Sequence, residues 1–235
     1  MRITTKLPNV GTTIFTVMSQ LAAEHGAVNL GQGFPDFDVP ERLVEALDRA
    51  MRDGKNQYAP MSGLPALRHP ELRERAFVVS SFGKTYHCTG WKVGYAIAPP
   101  ALTAEFRKVH QYNTFCTFTP AQAAFAEMIE AEPQHYDGLG AFYEAKRDRF
   151  RDQLLTTRLR PLPVPGGYFQ LVDYSGVSDL DDAAFCRWLT VEKGVAAIPL
   201  SPFYAVPPAG QRLARLCFAK VESTLDAAIA RLQTL

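Results

Sequence analysis

Residues 78–95, VVSSFGKTYHCTGWKVGY, set a glycine, a lysine and a threonine in a row behind an apolar run. Gly83-Lys84-Thr85 has the look of a phosphate-wrapping loop, but that loop requires G-x-x-x-x-G-K-S/T. The position of its first glycine is held by Val78, so the backbone cannot wrap a phosphate in that way. Nucleoside triphosphate chemistry is set aside. What remains is Lys84 with a hydroxyl, Ser81, shortly before it and a second lysine, Lys92, shortly after. A lysine at the end of a buried strand loses solvation, which drives its amine below the usual value of about 10.4. Reaching the range of about 7–8 that suits a nucleophile or base takes about 4 kcal/mol of environmental bias. An uncharged amine condenses with an aldehyde. A hydroxyl and a second cation nearby suit an aldehyde that carries phosphate. A solvated lysine without chemistry fits the same spacing.

Other elements must hold this segment in place. The two apolar runs that flank it, 76–80 and 93–98, read as buried strands. Upstream, residues 39–54 read as a helix with Pro40 near its start and Gly54 at its stop. Leu43, Leu47, Ala50 and Met51 repeat there at helical spacing and give it one apolar face. Helical patterns follow over 101–112, 120–131 and 136–156. A strand over 166–174, a helix over 181–194, strands in VAAIP and RLARLCFA, and a closing helix from Glu222 complete the chain. Leu225, Ala228, Ile229 and Leu232 form the buried face of that last helix. Alternating strands and helices point to α/β or α+β architecture.

The bulk composition excludes several function classes. With 25 basic and 24 acidic residues the net charge is +1, and the basic residues are scattered, so no nucleic-acid or membrane-surface partner is expected. Cys88, Cys116, Cys186 and Cys217 form no C-x-x-C pair and no metal spacing. They read as reduced thiols, with no metal site and a cytoplasmic location. No apolar stretch reaches the roughly 18 residues of a membrane helix, and MRITTKLPNVGTTIF has no secretory apolar core.

The segment SSFGKTYHCTGWKVGY closely resembles the cofactor-lysine segment of the class I aminotransferases, pyridoxal-phosphate enzymes with the aspartate-aminotransferase fold. The branch it resembles most is that of the methionine aminotransferases and kynurenine–oxoglutarate transaminases. The resemblance implies that Lys84 bonds the cofactor aldehyde and later shuttles the substrate proton, and that Ser81 and Lys92 hold the cofactor phosphate. NLGQGFPDF is similar to the family's substrate loop, with Gly33 beside the substrate carboxylate. QYAPMSGLPALR is similar to the segment whose tyrosine, Tyr58 here, contacts the phosphate of the neighbouring subunit, implying a homodimer. RLCFAK resembles the strand whose arginine, Arg215 here, grips the amino-acid α-carboxylate with two parallel hydrogen bonds. The implied reaction is transamination of methionine, or of a bulky apolar or aromatic amino acid, with a 2-oxo acid.

The resemblance breaks between Arg68 and His69. In relatives a long stretch lies there, carrying a glycine-led phosphate-binding helix start, an N-P-x-N-P segment and a D-E-x-Y segment. None of the three occurs here: no proline follows Asn9, Asn29, Asn56 or Asn113, and Asp173-Tyr174 falls in the part that resembles the small domain. The expected fold is therefore that of a pyridoxal-phosphate transferase with most of its large cofactor domain missing and the small C-terminal α+β domain retained. The expected division is an arm and substrate loop over 1–68, a residual cofactor domain over 69–135, and the small domain over 136–235. Two alternatives to an active transaminase stay open: an inactive remnant, and a cofactor-binding protein without turnover.

Overall fold

The computed structural model describes residues 12–33, 35–52 and 77–235. In chain order the elements are α1 (Ile14–Glu24), β1 (Val28–Asn29), α2 (Glu41–Arg52), β2 (Val78–Ser81), α3 (Phe82–Thr85), β3 (Gly94–Ile97) and α4 (Pro100–Asn113). These are followed by α5 (Thr119–Ala131), α6 (Pro133–Asp137), α7 (Leu139–Leu154), β4 (Arg160–Pro161), β5 (Phe169–Asp173) and α8 (Asp182–Lys193). The chain ends with β6 (Val195–Ala196), β7 (Ile198–Pro199), β8 (Leu213–Cys217) and α9 (Glu222–Leu232). They pack as two units, one formed by the residues up to Gly33 with Ala141–Leu235, the other by 34–140. This grouping cuts the chain differently from the three sequence segments. The physical reason is strand pairing: β1 runs parallel to β6, with Val28 opposite Val195, which ties the first residues to the C-terminal region.

The first unit is built on an antiparallel sheet in the order β4-β5-β8-β7. VAAIP, read as one strand, is two: β6 pairs with β1 while β7 joins this sheet at Ile198↔Arg215. Helix α8 begins because the Asp181 carboxylate accepts the Ala184 N–H at 2.8 Å, and it stops at Gly194, whose φ of 68° suits glycine. On α9 the four apolar positions named from the sequence are all buried. The helix expected over 136–156 breaks at Gly138 into α6 and α7. Helix α1 is an element that the sequence reading passed over; it buries Met18, Leu21 and Ala22.

Tyr174 and Phe185 stack with ring centroids 3.7 Å apart, and the Tyr174 hydroxyl donates to the Leu180 carbonyl at 3.0 Å. Phe185 is fully buried. Phe185→Ala should cost about 3–5 kcal/mol, read as a lower urea midpoint at unchanged slope.

In the second unit α2 packs on α5, and Leu43, Ala46, Phe125 and Met128 share a core with Tyr86, Cys88 and Val93 of the lysine segment. The two strands expected around Lys84 form an antiparallel pair, with Val79 opposite Ala96 and Ser81 opposite Gly94. Ala50 and Met51 have side chains outside the described set.

Candidate functional site

Lys84 does not end a strand. β2 stops at Ser81, whose side-chain oxygen accepts the Gly83 N–H at 3.1 Å and caps the single turn α3 on which Lys84 stands. Hydroxyl capping turns the chain from extended to helical here, so the lysine expected at a strand end stands on a turn instead. Two glycines make the arrangement possible. A side chain at Gly83 would sit 3.0 Å from the backbone of Thr89, and one at Gly94 would sit 2.4 Å from the Ser80 carbonyl oxygen. Lys84 is half-buried; Ser81 and Lys92 are exposed. Lys92 adopts left-handed backbone, φ 55°, after the turn Thr89–Trp91. His87 is likewise left-handed at φ 56°, a conformation that surrounding contacts must hold.

The His87 ring meets Phe37 at 4.9 Å and His135 at 5.9 Å between centroids. Phe82 stacks on Phe125 at 4.5 Å, and Tyr86 lies flat against His135 at 4.9 Å. His135 Nε2 lies 2.7 Å from the Thr85 carbonyl oxygen. A carbonyl only accepts, so this nitrogen carries the proton and donates. The Thr85–Tyr86 peptide, one residue beyond Lys84, is thereby fixed to α6. Sequence reasoning did not find His135, which lies far along the chain and becomes a neighbour only through packing.

Burial sets the ionisation of this core. It pushes the Tyr86 phenol up to about 12 and the Cys88 thiol up to about 11, and it lowers His87, with His135 adding to that effect. Raised acids favour the folded state while neutral, so their contribution is complete below their unfolded values and is lost as pH climbs from about 9 through 12. The depressed histidine acts in the opposite sense, and its contribution is lost as pH falls below about 6.5. The thermal midpoint should therefore peak between about pH 6.5 and 9. On the alkaline side each of the two acids should contribute on the order of 2 kcal/mol of loss. A melting series from pH 5 to 12 measures it.

Arg215 stands on β8, opposite Leu171 of β5. Its guanidinium lies over Phe169, 3.9 Å from the ring centroid, with Phe15 and Phe203 each at 5.3 Å. The Nε is buried without a hydrogen-bond acceptor, and among the described residues Arg215 makes no ion pair. Burial lowers its affinity for the proton. Rings stabilise the cation from its faces, but its in-plane donors still require an anion. Gly33 belongs to the same cluster, since a side chain there would collide with the Phe169 ring at 2.3 Å. Cys217 N–H donates to the Leu30 carbonyl at 2.8 Å and fixes that loop to β8. The structure thus brings Gly33 and Arg215 together around Phe169. The three phenylalanines were not found from the sequence, being far apart in it; the signal available was the alternation that puts Phe169 and Arg215 on adjacent strands.

The remaining expectations separate cleanly. Ser81, Lys84 and Lys92 lie in the second unit, Arg215 and Gly33 in the first. Tyr58 and the Arg68–His69 junction lie outside the described residues. Asp173 is held by Arg160 at 2.5 Å and by the Ser175 N–H at 2.7 Å, which accounts for its carboxylate locally. The cysteines are free thiols. Among the described residues there is no cluster suited to a metal ion, and no helix is long and apolar enough to cross a membrane.

Comparison with known proteins places this geometry. The family described as aminotransferase class I and II matches residues 68–232; its members use pyridoxal phosphate. Methionine aminotransferase of Escherichia coli is 38% identical over 377 residues, covering 98% of this chain and 97% of that enzyme. That alignment is longer than the 235 residues of this chain, so the relative carries a long stretch without counterpart here. Rat kynurenine–oxoglutarate transaminase 3 is 36% identical over 68% of this chain, but the match spans only 39% of that enzyme. Among solved structures, YbdL from Escherichia coli, described as having a methionine aminotransferase function, superposes with a TM-score of 0.93 at 37% identity, covering 100% of both chains. Thermus thermophilus aspartate aminotransferase, at 18% identity and a TM-score of 0.81, shares the fold. The family match takes in well over half of the chain and contains both Lys84 and Arg215; this chain belongs to the class I and II aminotransferases.

Proposed function

We propose that this chain carries the working groups of a pyridoxal-phosphate-dependent transaminase. It would move an amino group from methionine, or from a bulky apolar or aromatic amino acid, to a 2-oxo acid. The observation that supports this best is Arg215, a half-buried guanidinium in an aromatic box whose Nε has no acceptor among the described residues. A substrate α-carboxylate would satisfy it, and the Gly33 backbone lies on the same ring. The names of the matched relatives support methionine and aromatic donors.

The lysine segment offers groups that fit the cofactor. Ser81 spends its oxygen as an acceptor for Gly83 and keeps its hydroxyl hydrogen for a phosphate oxygen. Lys92 would add a positive charge to that phosphate, and the Tyr58 hydroxyl would donate to the phosphate held by the neighbouring subunit of a homodimer. The Lys84 amine would hold the aldehyde and take the proton from the substrate Cα. The cofactor, when bound, supplies the electron sink that makes this proton removable. Reduced thiols and the absence of charge bias suit a cytoplasmic setting.

A second reading is favoured by the stretch that the Escherichia coli relative has and this chain lacks. Without groups on the pyridine ring, the chain would bind cofactor and turn nothing over, or would be an inactive remnant. The test is incubation with pyridoxal phosphate, methionine and a 2-oxo acid, followed by measurement of the new keto acid. Formation above the rate of free cofactor, lost in Lys84→Ala, is the expected result. Colour without transfer supports the carrier, and a colourless protein supports the remnant.

A further inference from the structure

The β2–β3 ribbon and α4 leave an apolar face open. Exposure along the ribbon alternates in register. Val79 opposite Ala96 and Ser81 opposite Gly94 are the exposed pairs, whereas Val78 with Ile97 and Ser80 with Tyr95 are half-buried. One face is therefore covered and the other bare, with Val79 76% exposed. Phe77 lies on the bare side by alternation and meets Phe106 of α4 at 5.8 Å between ring centroids. Helix α4 has no buried residue, and Phe106, Val109 and Tyr112 follow one another on it at three-residue steps, Tyr112 being 86% exposed. Among the described residues β2 and β3 pair with each other alone, so each keeps one open edge.

A two-stranded ribbon with an apolar face is marginal in water, and its open edges are templates for another strand. A contiguous apolar patch of this kind marks an interaction surface. The occupant follows from the comparison with the Escherichia coli enzyme. That relative matches this chain over 97% of its own length and still has a long stretch without counterpart here. The family match begins at Arg68, just ahead of β2 in the chain. Together with the break in the resemblance after Arg68, this puts the absent stretch ahead of the strand whose edge and face are bare. A second copy of this chain covers the surface poorly, because pairing two such ribbons edge to edge closes one edge of each and leaves the other open.

We propose that this face seats a separate polypeptide equivalent to the absent stretch, so that each subunit of the working protein is itself a two-chain assembly. The partner adds strands to the open edges of β2 and β3 by main-chain hydrogen bonding. It lays apolar side chains on Val79 and on the stripe of α4. This inference concerns assembly and stands or falls independently of turnover.

The test is co-expression of this chain with the section of Escherichia coli methionine aminotransferase that lies opposite the gap, without added cofactor. The expected result is a one-to-one complex by native mass spectrometry, with the amides of 78–81 and 94–97 newly protected from hydrogen exchange. Val79→Glu and Val109→Glu, both at exposed sites that the fold of this chain tolerates, should each weaken the complex at least tenfold. Val206→Glu, at an exposed site in the other unit, should leave it intact. Failure to recover the section in soluble form with this chain would overturn the proposal, as would a complex in which those amides still exchange. Protection of the same amides in this chain alone, rising with its concentration, would replace the proposed partner with a second copy.

Discussion

Lys84→Ala should give a folded protein that stays colourless with pyridoxal phosphate, while the parent develops a visible band that borohydride removes. The substitution sits on a half-buried helical turn whose geometry is set by the Ser81 cap, by Gly83 and by His135 on the Thr85 carbonyl. Alanine favours helix, so the turn should persist in the variant. Only an uncharged amine bonds an aldehyde. The other candidates are poorly placed for it: Lys146 is buried against Glu222 at 2.5 Å, and Lys92 is exposed. Loss of the proton carrier alone costs about 10²–10⁴-fold in rate, and loss of the covalent link adds to this. Lys84→Arg keeps the charge and cannot form the bond, so it should be colourless as well.

Arg215→Met should move substrate binding and stability in opposite directions. A two-pronged carboxylate pair contributes about 1.5–3 kcal/mol, so affinity for the amino donor should fall by about 10–150-fold. The fold should gain. Arg215 keeps a cation between three phenylalanine rings with its Nε unpaired, and replacing a poorly paired charge by an apolar side chain is commonly stabilising. A gain of about 1 kcal/mol would raise Tm by about 2–4 °C. Titration with methionine and a thermal melt of the same sample read both effects. A merely structural arginine would lose stability on substitution and leave binding unchanged. Arg215→Lys should fall between the two, retaining charge without the planar fork.

How much of this was legible beforehand varies by element. Periodicity located α2, α4, α5, α8 and α9 to within a few residues, because α2, α5, α8 and α9 carry buried side chains and α4 opens on proline at its first turn. It passed over α1, whose IFTVMSQLAAE mixes β-branched residues with helix formers and whose burial depends on α8 and β6. The apolar run before Lys84 read as strand with the lysine at its end; the Ser81 hydroxyl instead starts a helical turn, and Lys84 stands on it. VAAIP was one apolar string and became two strands in separate sheets, since nothing local encodes which neighbour each pair will find. The charged members of the candidate site could be named because their types sit in recognisable spacing. Their surroundings could not be: Phe15, Phe169 and Phe203 converge on Arg215 only in the folded chain, as does His135 on the Thr85 carbonyl.

The bare ribbon gives the missing stretch a physical consequence. On the covered face, Tyr95 of β3 meets Phe82, which packs against the core shared with α5 beside the lysine turn. The open face has no such support from the described residues. Completing the sheet should therefore stiffen the same segment that presents Lys84.

The central claim is that one amine, that of Lys84, captures the vitamin B6 aldehyde. The direct measurement is borohydride trapping with excess pyridoxal phosphate, followed by peptide mapping of every lysine. Near-complete modification of the peptide containing Lys84 is expected, with the other lysines essentially unlabelled; labelling spread evenly over the lysines, or absent from Lys84, would contradict this assignment.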